Sequence, residues 1–162
     1  MYRGKGKVMN CVKYSEDYKD GLKFFLNTMY DVMGYRFPPS KKEEDLETVY
    51  TKCIQSGGDF LILTNEEEVV GCIGVKVMDL DNGIGEVKRL FVLPSYQGQG
   101  YGEMLLTELI NLSKEKKLRY LRLCTTHKSN KAIKLYEKVG FYNIEAYKYN
   151  PVIEIYMELR II

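Results

Sequence analysis

Between residues 92 and 103 the chain reads Val-Leu-Pro-Ser-Tyr-Gln-Gly-Gln-Gly-Tyr-Gly-Glu. Its glycines, Gly98, Gly100 and Gly102, stand where an apolar strand pattern over Glu86–Val92 gives way to leucines at helical spacing, Leu105, Leu106, Leu109 and Leu112. A strand that hands over to a helix through such a turn gathers unpaired backbone N–H groups at the positive end of the helix dipole. Glycine also removes the side chains that would hold an anion at a distance. The segment is therefore a candidate cradle for a pyrophosphate. It is not a Walker loop, because no Gly-Lys-Ser/Thr follows, and the third glycine has the wrong spacing for the dinucleotide fingerprint.

The flanking sequence supplies the remaining elements. Ser15, followed by Leu22, Phe25, Leu26 and Met29, predicts a helix over 16–33 that ends near Gly34. After Pro38-Pro39, Ser40 and Glu43 have capping-box spacing, and Leu46, Val49, Tyr50, Cys53 and Ile54 share one face of a second helix running to Gly57-Gly58. Phe60–Leu63 and Val69–Met78 predict a hairpin across an Asn65-Glu66-Glu67 turn, with a third strand at Glu86–Val92. A helix over 102–117, a strand at Tyr120–Thr125, a short helix through Ala132, Leu135, Tyr136 and Val139 stopped at Gly140, and strands at Phe141–Tyr147 and Val152–Arg160 complete the chain. This order, ααβββαβαββ, specifies a mixed α/β (α+β) domain with a sheet covered by helices on both faces. At 162 residues, a single domain spanning 1–162 is expected.

Composition narrows the function classes. No apolar run is long enough to cross a bilayer, and the basic residues 1–7 are followed by no signal-peptide pattern, so no membrane partner and a cytoplasmic location are expected. Cys11, Cys53, Cys72 and Cys124 lie far apart and His127 is the one histidine, which argues against a metal site or a disulfide framework. The net charge of +2 does not call for a nucleic-acid partner. The charge is uneven, however: Asn111 to Gly140 holds nine Lys/Arg against two Glu, so the C-terminal half is suited to meet an anion.

Gln97-x-x-Gly100-x-Gly102, preceded by a strand and Pro94 and followed by a helix, resembles the acetyl-CoA pyrophosphate motif of the GNAT superfamily of N-acetyltransferases. A second family landmark is Ala132-x-x-Leu135-Tyr136-Glu137-x-x-Gly140-Phe141, a helix running into a strand through a Gly-Phe junction. The resemblance implies a mostly antiparallel central sheet whose splayed central strands bind CoA. It implies acetyl-CoA as co-substrate, with no metal, and transfer of the acetyl group to a primary amine of a small molecule or protein. The fold also admits a homodimer. Carried over position by position, backbone groups of Leu90, Phe91 and Val92 would pair with the pantetheine arm, and the N–H near Leu90 would polarise the thioester carbonyl. Gln97, Gly98, Gln99, Gly100, Tyr101, Gly102 and Glu103 would hold the pyrophosphate. Lys128, Lys131 and Lys134 are placed to attract the CoA 3′-phosphate. Tyr136 matches the tyrosine that protonates the departing thiolate, although a tyrosine on an apolar helix stripe also serves packing. Where the family often has Asn, this chain has Ser129, with Asn130 one place later as the candidate CoA contact; either could instead cap the helix.

An attacking amine must first lose a proton, since an alkylammonium has no lone pair. Glu86, eleven residues before Gln97, stands where several family members place a general-base glutamate, while His127 has the better intrinsic pKa; water is a third candidate. Tyr30, Tyr35, Arg36, Phe37, Lys88, Arg89, Tyr147 and Tyr149 are candidate walls of the acceptor pocket, a mixture suited to an amine carrying a carboxylate rather than a polycation. A CoA-binding sensor or interaction module without turnover is the alternative from another class.

Overall fold

The computed structural model describes residues 2–4, 7–66 and 68–162. Glu67, part of the predicted hairpin turn, lies outside the described residues, as do Met1, Lys5 and Gly6 of the basic N-terminus. Eight strands, β1 (Tyr2–Gly4), β2 (Lys7–Lys13), β3 (Asp59–Asn65), β4 (Glu68–Asp79), β5 (Ile84–Val92), β6 (Tyr120–Thr125), β7 (Tyr142–Asn143) and β8 (Ile155–Arg160), form one sheet in the order β1-β2-β3-β4-β5-β6-β8-β7. Every neighbouring pair is antiparallel except β5–β6. Among the described residues four α-helices cover it: α1 (Lys19–Met33), α2 (Pro39–Gln55), α3 (Tyr101–Glu115) and α4 (Asn130–Val139). Among the described residues no helix is long and apolar enough to cross a membrane.

Strand β3 is buried on both faces, and its alternation divides the core. Phe60 and Ile62 join Leu22, Phe25, Leu26 and Met29 of α1 and Leu46, Tyr50 and Cys53 of α2. Leu61 and Leu63 join Leu105, Leu106 and Leu109 of α3 on the other face. Helix α1 ends on Gly34 in the left-handed conformation (φ +67), as its position predicts. Helix α2 corrects the capping-box reading, because no side chain caps its N-terminus. It starts at Pro39, which has no N–H to satisfy, and the extended Pro38 offers its carbonyl to Lys41 and Lys42 at 2.9 and 3.1 Å. Ile54, assigned to its buried face, is exposed.

Two further corrections concern the ends of the chain. Sequence reading missed β2, whose Met9 is fully buried and which pairs along β3. In the tail, the predicted strand over 141–147 shrinks to Tyr142–Asn143 and the last strand begins at Ile155. The residues between turn away from the sheet and bring Tyr147 and Lys148 over the buried carboxylate of Glu86.

The site is positioned by the relation between β5 and β6. Their parallel register holds only for Ile84, Gly85 and Glu86, opposite Tyr120, Leu121 and Arg122. Past Glu86, β5 bulges: Gly74 pairs Lys88 and Cys72 pairs Phe91, so Arg89 and Leu90 together oppose Ile73. Arg89 takes φ +53 there. A bulge bends its strand and re-aims its side chains. The two strands therefore diverge into a V, with the edge of β5 beyond Glu86 unpaired on the β6 side among the described residues.

Candidate active site

The loop above the V is built as the glycine pattern requires. Gly98 (φ +74) and Gly100 (φ +86) are left-handed, and a Cβ on either would meet no protein atom within 4 Å. The space in front of the backbone is open, and the first helical bond runs from Met104 N–H to the Gly100 carbonyl at 3.0 Å. Among the described residues, no carbonyl takes the N–H groups from Gly98 through Glu103. At Gly102 a Cβ would stand 3.4 Å from Leu135 of α4, an ordinary contact.

Several side chains in this loop turn out to serve the protein itself. Gln97 Nε2 donates to the Val92 carbonyl at 2.9 Å. The bond closes the turn. Gln99 Nε2 reaches back to Ser95 O at 3.4 Å. The Tyr101 ring is buried in the α3 core, leaving its N–H for the cradle. The Glu103 carboxylate meets Lys138 of α4 at 2.7 Å. Asn130 is the first residue of α4 and is exposed, and neither it nor Ser129 makes a side-chain capping bond. Lys128, Lys131 and Lys134 are exposed.

At the base of the V, Glu86 is 2% exposed. Its carboxylate accepts the Tyr147 hydroxyl at 2.6 Å, Lys148 Nζ at 3.0 Å and 2.9 Å to its two oxygens, and a close contact from Lys88 Nζ. Burial acts to raise the Glu86 pKa, but the Lys88 charge and the bonds from Lys88, Tyr147 and Lys148 outweigh it and hold the group below the ordinary carboxylate value. The tail segment that supplies these partners is itself pinned, since the Tyr156 hydroxyl donates to the Lys148 carbonyl at 3.0 Å and the Arg122 guanidinium sits 5.3 Å over the Tyr147 ring. Arg122 is held in turn by Glu158 at 2.8 Å.

One wall is aromatic. Tyr30 and Tyr35 stack with centroids 5.2 Å apart, Phe37 lies 5.1 Å from Tyr30, and Phe91 meets both tyrosines edge-on at 6.0 Å. Arg89 anchors this wall: its Nε donates to Tyr30 Oη at 3.0 Å and a terminal nitrogen to Asp45 at 2.8 Å, while the Tyr30 hydroxyl closes the triangle on Asp45. The bulge that opens the V is thereby fastened to α1 and α2. Tyr136 is nearly buried, with its ring 5.5 Å from Phe141, and burial drives its pKa upward with Tyr35 and Cys124 adding to the rise. Cys124 on β6 also interacts with Tyr147. Burial likewise pushes up the Tyr147 phenol, as does its bond to Glu86.

His127 does not join this group. Its side chain is 76% exposed, its ring is 3.8 Å from Glu154, and its backbone N–H donates to the same carboxylate. Tyr149 is 92% exposed and Arg36 is exposed. Asp45 and Lys148 were missed by sequence reading. Asp45 sits in an acidic helix run that looks solvated, and Lys148 in a tail expected to lead on from a strand.

The model of the acetyltransferase (GNAT) family matches residues 26–141, and the chain belongs to that family. It is 27% identical over 154 residues to an uncharacterised N-acetyltransferase of Schizosaccharomyces pombe, covering 94% of this chain and 93% of that protein. An uncharacterised N-acetyltransferase of Dictyostelium discoideum is 40% identical over 68 residues, 42% of this chain, and that match spans only 32% of the relative. The fold matches the crystal structure of a GNAT-family acetyltransferase from Staphylococcus aureus with a TM-score of 0.82 at 24% identity, over 95% of this chain and 99% of the other. It also matches yncA from Salmonella typhimurium, solved with its cofactor acetyl-CoA, with a TM-score of 0.75 at 17% identity, over 95% and 94%.

Proposed function

We propose that the protein transfers the acetyl group of acetyl-CoA to a primary amine of a small molecule or protein, by direct attack while both are bound. The observation that carries this reading is the V between β5 and β6 beneath a loop whose N–H groups from Gly98 to Glu103 take no carbonyl among the described residues. An anion is the natural partner of such a cradle, and the empty Cβ positions of Gly98 and Gly100 leave it room to approach. The bound acetyl-CoA of the Salmonella neighbour supports CoA as the molecule that fits. On this reading the free edge at Leu90 and Phe91 receives the pantetheine arm, and Lys128, Lys131 and Lys134 attract the 3′-phosphate.

The chemistry is an addition and elimination at the thioester carbon. The amine nitrogen forms the new C–N bond, the C–S bond breaks, and the sulfur leaves as thiolate. A backbone N–H near Leu90 stabilises the oxyanion that develops. Tyr136, kept un-ionised by burial, donates a hydrogen bond to the thiolate, supplies its proton and takes one back from solvent. Glu86 draws the amine's proton through the Tyr147 hydroxyl, 2.6 Å away: Tyr147 gives its own proton to the carboxylate as it takes the amine's, and Glu86, its pKa held low, releases the proton to solvent.

Incubation with acetyl-CoA and a panel of primary amines tests the reading. Thiol release that depends on the amine, with the acetylated amine identified by mass, is expected. CoA binding without release across the panel identifies a CoA-binding module.

A further inference from the structure

Two guanidiniums beside the V each have one carboxylate. Arg89 meets Asp45 and Arg122 meets Glu158, each at 2.8 Å. The Glu86 carboxylate is shared instead by two ammoniums, Lys88 and Lys148. One positive charge is left over at the base of the V. Burial pulls the Lys88 ammonium below its ordinary range, Glu86 works against that, and the nearby Lys148 charge adds to the strain. Both side chains are part exposed, at 25% and 33%, and an ammonium has three donors to offer.

The surroundings limit what can answer that charge. Lys148 is fixed by the Tyr156 bond to its carbonyl, and its nitrogen lies 5.9 Å from the Tyr147 ring. Tyr147 and Lys148 both interact with Cys124, which interacts in turn with Tyr35 and Tyr136. The spare cation thus stands at the base of the V, on the carboxylate that also accepts the Tyr147 hydroxyl. A polyamine would bring further positive charge against it, whereas a carboxylate would sit between two lysines that otherwise repel one another.

We propose that Lys88 and Lys148 form a carboxylate subsite, and that the acceptor is a small primary amine bearing a carboxylate, such as a free amino acid, lying against Tyr35 and Tyr147. This rests on the N-acetyl-transfer reading, but its test does not need turnover. N-acetylphenylalanine and N-acetylphenethylamine, then N-acetylalanine and N-ethylacetamide, are titrated into the CoA-loaded protein by calorimetry; each pair differs only in the carboxylate. The acid is expected to bind about tenfold or more tighter, as for a hydrogen bond to a charged group, and Lys148→Gln and Lys88→Gln each to bring the ratio below about threefold. Retained CoA affinity certifies that each variant is folded, and if one variant loses it the other decides.

Equal or tighter binding of the neutral partner, no measurable binding of either acid, or a ratio that survives in the folded variants overturns the subsite. A lysine-dependent preference for the acids in a protein that acetylates no amine leaves the subsite standing and removes the transferase reading.

Discussion

Gly100→Ala separates two effects that a glycine loop usually confounds. Gly100 has φ +86 and Gly34, at the end of α1, has φ +67, and a Cβ at either position meets no atom within 4 Å. Alanine should thus cost each site only left-handed backbone strain, about 1–2 kcal/mol. For a chain of this length that corresponds to a fall in Tm of roughly 2–8 °C. The two variants should melt alike. They should differ in CoA affinity, because the methyl at residue 100 enters the space in front of the N–H groups, while that at residue 34 enters solvent. Losing one charge-assisted bond to the pyrophosphate, worth about 1.5–3 kcal/mol, weakens CoA binding by roughly 10- to 100-fold. Thermal melts and calorimetry on both variants are the assay. If Gly100→Ala loses stability like Gly34→Ala and still binds CoA as wild type does, the pyrophosphate is not on this loop.

Other outcomes follow from the same geometry. Tyr136→Phe should lower kcat about 100-fold, the low end of the general-acid range because thiolate leaves readily, with acetyl-CoA affinity within twofold; wild-type kcat would return Tyr136 to packing. Asp45→Asn leaves the Arg89 guanidinium, 22% exposed, without its counter-charge. It should destabilise the fold by about 2–4 kcal/mol in urea melts, and a change within about 0.5 kcal/mol would show that the triangle does not anchor the bulge. The Glu86 pKa is lowered on folding, so its contribution to stability is present above the unfolded value near 4.3 and is lost as pH falls below it toward the folded value. Stability curves should show Glu86→Gln flattening the acid limb below about pH 4.3, and an unchanged limb would deny the linkage. In pH–rate profiles Glu86→Gln should lose rate at neutral pH and regain part of it in alkali, with His127→Ala unchanged; the reverse pattern would make His127 the base.

Local pattern disclosed what local physics determines. The turn from β5 into α3, the amphipathic stripes of α1 and α3, and the Tyr136–Phe141 junction are fixed by residues a few positions apart, and each was readable from spacing. The bulge was not, because nothing in Lys88-Arg89-Leu90 announces that Arg89 will take φ +53; Asp45 and Tyr30, 44 and 59 positions away, hold its side chain there. Glu86 could be placed on its strand, but its chemistry is set by Tyr147 and Lys148, more than sixty residues on, in a tail whose apolar residues mimic a longer strand. At Ser40 the capping-box signal was genuine but unused, since Pro39 had already begun the helix. Strand β2 carries a weak alternation around Met9 and Cys11, too short and polar to stand out until β3 pairs with it.

The central claim, that the V between β5 and β6 and the glycine loop together hold the acetyl donor, is tested most directly by a crystal structure of the protein with acetyl-CoA bound. The account predicts the pyrophosphate on the N–H groups of Gly98 to Glu103 and the thioester between Leu90 and Tyr136. Acetyl-CoA bound elsewhere on the protein, with the V empty and Tyr136 remote from the sulfur, would contradict it.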